Sequence, residues 1–364
     1  MKIRLVVRKR GRFWVNCFVK EVSIVAIDLT PITKSRAFCG FLGIDPGDGV
    51  EFEMLGHGEY NLNYLFRHPC TGEKLVLRIP MGSQMHLSNQ VRYEFEALQM
   101  LEPTGRTPKP RYIDDTKTVI PYGFLVMDFI HGRTLKYDSD LELAARCLGE
   151  IHNYSAPAKT HLLAPQNPMA AVLEESYAMA ARYMESSLAA PDTKRLLSLL
   201  LKRGESVVKG ADIFVGVGER CVINTEVNSG NFLVDDLNKK NKKAYLLDWE
   251  KPIFACLCQD LGHFLAPTTT LWKTDTILTE GEIQGFMQSY CGVSSRYSDP
   301  ETLWEHTKPY FTMNCVRGIT WCAMAWVEYN SPERVLKDAF TFEKIKTYIS
   351  PQFLERIIND YLDG

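Results

Sequence analysis

Val222-Ile-Asn-Thr-Glu226-Val-Asn-Ser-Gly-Asn231-Phe-Leu-Val-Asp-Asp236, followed after a polar bridge by Ala244-Tyr-Leu-Leu-Asp248-Trp-Glu250, is the stretch on which the fold turns. It sets a carboxylate, Glu226, ahead of an amide, Asn231, and a second carboxylate, Asp248, at the end of an apolar run. Moving a γ-phosphoryl group needs a side chain that orients an acceptor hydroxyl and takes its proton. It also needs oxygen ligands for the Mg²⁺ ions that neutralise the phosphates. A carboxylate on a tight loop, an amide just beyond it and an Asp on the next strand can converge on such a cluster. Asn231-Phe-Leu-Val and Tyr245-Leu-Leu read as the two strands of a hairpin, and Asp236 to Lys243 as its exposed turn. Taken singly, Glu-x-x-x-x-Asn and Asp-Trp-Glu are weak signals, each more often a solvated loop or strand end than a site.

The order of elements upstream strengthens them. Met54-Leu-Gly-His-Gly-Glu-Tyr-Asn-Leu-Asn-Tyr-Leu-Phe66 predicts a strand, a tight glycine turn and a returning strand, where Gly56 and Gly58 would let backbone amides approach phosphates. The bland reading is an ordinary hairpin. Glu73-Lys-Leu-Val-Leu-Arg-Ile-Pro80 predicts a strand carrying Arg78, whose guanidinium can hold phosphate oxygens bidentately or simply face solvent. Val91, Phe95, Leu98 and Leu101 are spaced for one apolar helix face. Glu94, with Leu98 and Leu101 four and seven residues beyond it, and its rival Glu96 are the acids at the centre of that helix. Gly123-Phe-Leu-Val-Met-Asp-Phe-Ile130 is an apolar strand running into a connection.

Together these segments resemble the aminoglycoside phosphotransferase and choline kinase-like family, over roughly residues 40 to 330. That family's loop runs His-Gly-Asp or His-Asn-Asp, four residues, Asn, and later an Ile-Asp-Trp-Glu strand. Here Asp248-Trp249-Glu250 is intact and Asp260 stands where the family has a structural Asp, whereas Asn224 and Glu226 replace its His and catalytic Asp. The resemblance implies an α+β, two-lobed protein-kinase-like fold, with an amino-terminal antiparallel sheet plus one helix and a largely helical carboxy-terminal lobe. It implies ATP and Mg²⁺ as cofactors and transfer to a hydroxyl of a small molecule such as an amino sugar or amino alcohol. Glu226 would be the base, Asn231 and Asp248 the metal ligands, and Arg78 braced by Glu94 the phosphate partner, beneath the Gly56 to Gly58 turn. Met127, Asp128 and Ile130 would meet the adenine. The rival reading is a catalytically silent nucleotide-binding or scaffolding protein of the same fold. One added methylene in Glu226 displaces a carboxylate by about an ångström, enough to cost on the order of 10²-fold unless the loop is re-set.

The expected organisation is an extension over residues 1–35, a nucleotide-binding lobe over 36–130 and a carboxy-terminal lobe over 131–364. Helical patterns run over Leu141 to His152, with Asp138 or Asp140 as its cap, then Met169 to Met184, Asp192 to Lys209, Glu280 to Tyr290, Pro300 to Tyr329 and Pro351 to Tyr361. His152 reads as structural. Trp304, Tyr310, Phe311, Trp321, Trp326 and Tyr329 could frame a quaternary ammonium, but Trp321, Met324 and Ala325 recur at helical spacing, which favours a packed core. Glu305 and Glu328 could attract an amine or be solvated.

With 364 residues, 45% apolar, and a net charge of −2, the chain has ample core for two lobes and no general attraction to nucleic acid or anionic membrane. No segment approaches a membrane span. The ten cysteines lack paired metal-site spacing, so reduced thiols and a cytoplasmic location are expected. Six cations stand before residue 13 with no acid until Glu21, suggesting a targeting or nucleic-acid arm, but Lys20 and Glu21 break the apolar run a secretory segment needs. Alternation over Phe13 to Val19 and Val22 to Ile27 predicts strands there. Acceptor identity and oligomeric state are not legible.

Overall fold

The computed structural model describes residues 27–57, 61–83, 85–157, 159–211, 220–237, 242–331 and 339–362. The strands expected before Ile27 lie outside the described residues. Two short helices come first, α1 (Thr30–Lys34) and α2 (Arg36–Leu42). Ser35 separates them: its hydroxyl accepts from Phe38 N at the start of α2, and Gly43, at φ 65°, closes the helix in the left-handed conformation. Ile32 is fully buried with Phe38 and Leu42, so the tail of the expected extension joins the amino lobe's core.

Five strands follow, β1 (Glu53–His57), β2 (Asn61–Arg67), β3 (Lys74–Pro80), β4 (Pro110–Asp114) and β5 (Phe124–Asp128), with helix α3 (Gln90–Leu101) between β3 and β4. The sheet order is β1-β2-β3-β5-β4 and every pairing is antiparallel. β3 is central and covered on both faces. Leu75, Leu77 and Ile79 meet Phe38 and Phe66 in one cluster, while Val91 and Phe95 of α3 pack with Leu125 on the other face. Two-sided burial explains why β3 reads as an unbroken apolar run into which Arg78 is set. Fully burying a side chain such as Phe38 contributes about 1.5–3 kcal/mol, which ties α2 to this lobe.

Beyond residue 130, the chain turns to helices and short strands. In order they are β6 (Arg133–Thr134), α4 (Leu141–His152), α5 (Pro168–Met184), α6 (Pro191–Ala211), β7 (Arg220–Ile223), β8 (Phe232–Asp235), β9 (Lys243–Leu246) and β10 (Ile253–Cys256). Then come α7 (Cys258–Leu265), α8 (Pro267–Lys273), α9 (Glu280–Cys291), α10 (Pro300–Asn330), α11 (Ala339–Tyr348) and α12 (Pro351–Tyr361). β8 and β9 form the expected hairpin, with Phe232 opposite Leu246, while residues 238–241 of its turn lie outside the described residues. β6 adds to it beside β8, and β10 pairs antiparallel with β7.

One expectation about capping fails. Asp140 precedes α4 but makes no cap bond. It is buried, accepts from Lys136 N, and forms a two-pronged pair with Arg133 at 2.6 and 2.9 Å. A guanidinium within reach outcompetes a helix amide for a carboxylate. Asp138 accepts from the Ser139 hydroxyl instead of capping.

The aromatic residues of α10 do not gather into a cage. Trp304 meets Phe311, Trp321 meets Trp272, and Trp326 and Tyr329 each stack on Phe342. Glu305 pairs with Lys308 and Glu328 with Arg182.

Helices α7 and α10 cross at Gly262. A Cβ there would stand 2.6 Å from Phe311 N and 2.8 Å from the carbonyl carbon of Tyr310, and main chain cannot move aside as a side chain can. Gly262→Ala is expected to destabilise the fold by about 1–3 kcal/mol, read as a lowered urea midpoint. Gly285→Ala in α9, where a Cβ meets nothing within 4 Å, is the matched control and should stabilise slightly.

Candidate active site

The loop after β7 is wound around one buried carboxylate. Asp260, on the first turn of α7 and fully buried, accepts from Asn224 N at 2.8 Å and from Thr225 N at 2.7 Å. His152 stands against it at 3.4 Å and bonds Tyr290 through its other ring nitrogen, so this histidine is a buried strut, as expected. Thr225 has φ 73°, a left-handed backbone that a β-branched residue rarely adopts. The cost of such strain, about 1–3 kcal/mol, is offset by the charged acceptor beneath it. Strain held in this way marks a loop whose geometry matters more than its comfort.

Past Thr225 the loop grips its own peptide units. Glu226 N donates to Asn224 Oδ1 at 3.1 Å, and the Glu226 carbonyl accepts from the side-chain amides of Asn228 and Asn231, each at 2.9 Å. Asn231 then accepts Leu247 N at 2.7 Å, and Asn224 Nδ2 donates to the Asp248 carbonyl at 2.9 Å. Glu226, Asn231 and Asp248 are thereby drawn together from opposite sides of the hairpin. Asn224 is fully buried and works both ways, as acceptor toward Glu226 and donor toward Asp248. A neutral imidazole has the same one-donor, one-acceptor capacity, so an amide can take over a histidine's bracing role here. Asp248 also has a left-handed backbone, at φ 58°.

From the amino lobe, Arg78 reaches down into this region. Only 5% exposed, it meets Glu94 at 2.9 Å and Asp248 at 2.5 Å, with Glu250 at 3.6 Å and Asn63 Oδ1 at 3.4 Å. Glu94 is therefore the helix partner of Arg78. Its rival Glu96 faces Arg92 and His161 instead. Burial works against the guanidinium's charge, but Glu94, Asp248 and Glu250 outweigh it and hold its pKa above the ordinary value. The same imbalance shows on the acids. Burial first, and then the charges of Asp248 and Glu250, push Glu94 up to about 7 despite Arg78. Burial and Asp248 raise Glu250 as well, against the lowering effect of its bond from Asn61.

Four side chains of the amino lobe thus fasten to residues 248–252. Arg78 holds Asp248 and Asn61 holds the Glu250 carboxylate. Gln90 donates to the Glu250 carbonyl at 2.6 Å and Tyr93 to the Pro252 carbonyl at 2.6 Å. Lys251, inside this segment, turns the other way. It pairs with the carboxylate of Glu226, while its own carbonyl accepts the Thr225 hydroxyl at 3.0 Å. Sequence reading missed Asn61, Gln90, Glu250 and Lys251. The available signal was adjacency, since Glu250 and Lys251 directly follow Asp248-Trp249.

The remaining expected residues lie elsewhere around the cleft. Gly56 belongs to strand β1, at a register irregularity between Met54 and Gly56, rather than to the turn; its φ is not left-handed. Gly56 stands opposite Asn63 in the antiparallel β1–β2 pair, and Gly58 lies outside the described residues. Met127 and Asp128 end β5, beside the link to β6, and Asp128 is paired with Arg111 at 2.5 Å. Met127 and Ile130 are half-buried. Among the described residues, no cluster of three or more His, Cys, Asp or Glu is arranged to hold a metal by itself, and no helix is long and apolar enough to cross a membrane.

The fold is similar to that of several solved phosphotransferases. An ethanolamine kinase from Plasmodium vivax superposes with a TM-score of 0.59 at 12% identity, over 88% of this chain and 89% of that one. A choline kinase from Cryptosporidium parvum Iowa II gives 0.57 at 12%, over 86% and 91%. A spectinomycin phosphotransferase solved with ADP and spectinomycin gives 0.56 at 14%, over 85% and 92%. At such identities the likeness is one of fold, kinase-like and α+β. No curated protein matches the sequence. The profile of the phosphotransferase enzyme family, however, matches residues 51–305, from the first strand of the sheet into α10, and the chain belongs to that family.

Proposed function

We propose that the protein transfers the γ-phosphoryl group of Mg·ATP to a hydroxyl of a small molecule. The observation that carries this reading is the bonding that draws Glu226, Asn231 and Asp248 together beneath a guanidinium already braced by Glu94. In this reading, Glu226 takes the acceptor's proton as its oxygen bonds the γ-phosphorus. The bond from that phosphorus to the bridging oxygen breaks and ADP leaves. Arg78 pairs with phosphate oxygens, and main-chain groups from Asp128 to Ile130 face the adenine beside Met127.

The donor set suits Mg²⁺. Three carboxylates, Glu94, Asp248 and Glu250, crowd a single guanidinium, and the surplus negative charge of Asp248 and Glu250 adds to the burial that raises Glu94. A divalent ion held by one carboxylate, an amide oxygen and the substrate's phosphates would relieve it, which is how Mg²⁺ is ordinarily bound. Asp248 and Asn231 are the residues that would hold it. When bound, Mg²⁺ neutralises charge developing on the phosphates.

The acceptor class is drawn from relatives of this fold, which include ethanolamine, choline and spectinomycin phosphotransferases. A cytoplasmic location, where Mg·ATP is plentiful, belongs to the same reading. The test combines thermal shift with Mg·ATP and ADP release across a panel of amino alcohols, sugars and amino sugars. Protection by Mg·ATP and ADP release that depends on at least one acceptor are expected. Protection without any acceptor-dependent turnover would instead mark a silent nucleotide-binding protein.

A further inference from the structure

We propose that Lys251 is a positioning residue of this site, the counter-ion that lets the Glu226 carboxylate stand beside the transferring phosphoryl group. The inference rests on the reading of the cleft as a Mg·ATP site with Glu226 as base.

A carboxylate poised to take the acceptor's proton must lie next to a γ-phosphate of its own sign. In this chain the surroundings are already acidic, with Glu94, Asp248 and Glu250 sharing Arg78. Arg78 therefore has no charge to spare for Glu226. Lys251 supplies it: its side chain pairs with Glu226, and Thr225, the residue before Glu226, holds its main-chain carbonyl. The cation is thus fastened at both ends to the loop it serves. Its side chain is 15% exposed and that of Glu226 31%, so the pair sits at the cleft wall. There the loss of water is modest, yet an unbalanced charge is still felt. The longer Glu also has a purpose in this arrangement, because its carboxylate has to reach both the acceptor and an ammonium arriving from the segment between β9 and β10.

Removing Lys251 should leave an unneutralised carboxylate facing the γ-phosphate, and only there. The experiment measures dissociation constants for Mg·β,γ-imido-ATP and Mg·ADP by calorimetry, on wild type, Lys251→Met, Lys251→Arg and Lys251→Met combined with Glu226→Gln. Lys251→Met is expected to weaken the imido-ATP complex about tenfold, the order expected for one like-charge contact near a protein surface, with Mg·ADP changed by less than about twofold. Lys251→Arg should bind as wild type does, and Glu226→Gln should restore imido-ATP affinity to the methionine variant. Lys251→Gln repeats the measurement should the methionine variant not fold. Equal losses for both nucleotides, unchanged or tighter imido-ATP binding, or no restoration by Glu226→Gln would overturn the proposal. A wild type that binds neither nucleotide would overturn the reading of the cleft and this inference with it. A wild type that binds both but transfers to no acceptor would overturn only the phosphotransferase reading, and the counter-ion would still be read from binding.

Discussion

Glu226→Gln is expected to lower phosphoryl transfer by about 10²–10⁴-fold, the usual contribution of a general base, while Mg·ATP still protects the protein in thermal shift. The two effects separate because the loop is held through the main chain of Glu226. Asn228 and Asn231 bond its carbonyl and Asn224 its amide, leaving the carboxylate to Lys251. Exchanging a carboxylate for an amide of the same shape therefore removes proton acceptance with the loop in place. Glu226→Asp tests reach: one methylene shorter, it draws the carboxylate back by about an ångström, and on the order of 10²-fold should be lost if the loop is set for Glu. Transfer by Glu226→Gln at the wild-type rate would remove Glu226 from the mechanism.

Asp260 should give the largest effect on stability. Its two oxygens accept from adjacent amides, at Asn224 and Thr225, in a fully buried setting, and the second amide belongs to a left-handed threonine. Asp260→Ala leaves both donors without their acceptor and releases the strain, for an expected loss of about 3–5 kcal/mol. Asp260→Asn is instructive because its shape is right and its chemistry is not. One of its two terminal atoms must be an NH₂ group facing a main-chain N–H, so about 1–3 kcal/mol should still be lost. Urea denaturation measures both variants. Activity of Asp260→Asn should fall further than its stability alone requires, because the Glu226 backbone follows the Thr225 turn. Full stability in Asp260→Ala would sink this account of the loop.

What the sequence revealed of this site, and what it hid, follows from the range of the interactions. The β8–β9 hairpin was readable because alternation and the polar turn are local, and α3 because its apolar spacing repeats over three turns. Glu94 is preferred to Glu96 because Leu98 and Leu101 stand four and seven residues beyond it, as in the resembled family. The helices α1 and α2, of five and seven residues, are too short to show a period. Gly56 reads as a turn residue because a glycine pair before polar residues has that local meaning, although strand pairing carries it into β1. Asn61 with Glu250 and Lys251 with Glu226 are contacts across 189 and 25 residues, created by the packing of one lobe on the other and of one loop on another. No local pattern encodes them.

The fastening of Asn61, Arg78, Gln90 and Tyr93 to residues 248–252 has a thermodynamic consequence. Neither lobe can come apart without giving up bonds to the same five residues, so the small sheet and the large helical body are linked in their folding equilibrium. A ligand that engages those five residues stabilises both lobes at once, by a free energy that grows with the logarithm of its concentration over its dissociation constant. Nucleotide in the cleft would then shield the far helices from proteolysis as effectively as the strands it touches, and the chain would answer its ligand as one cooperative body.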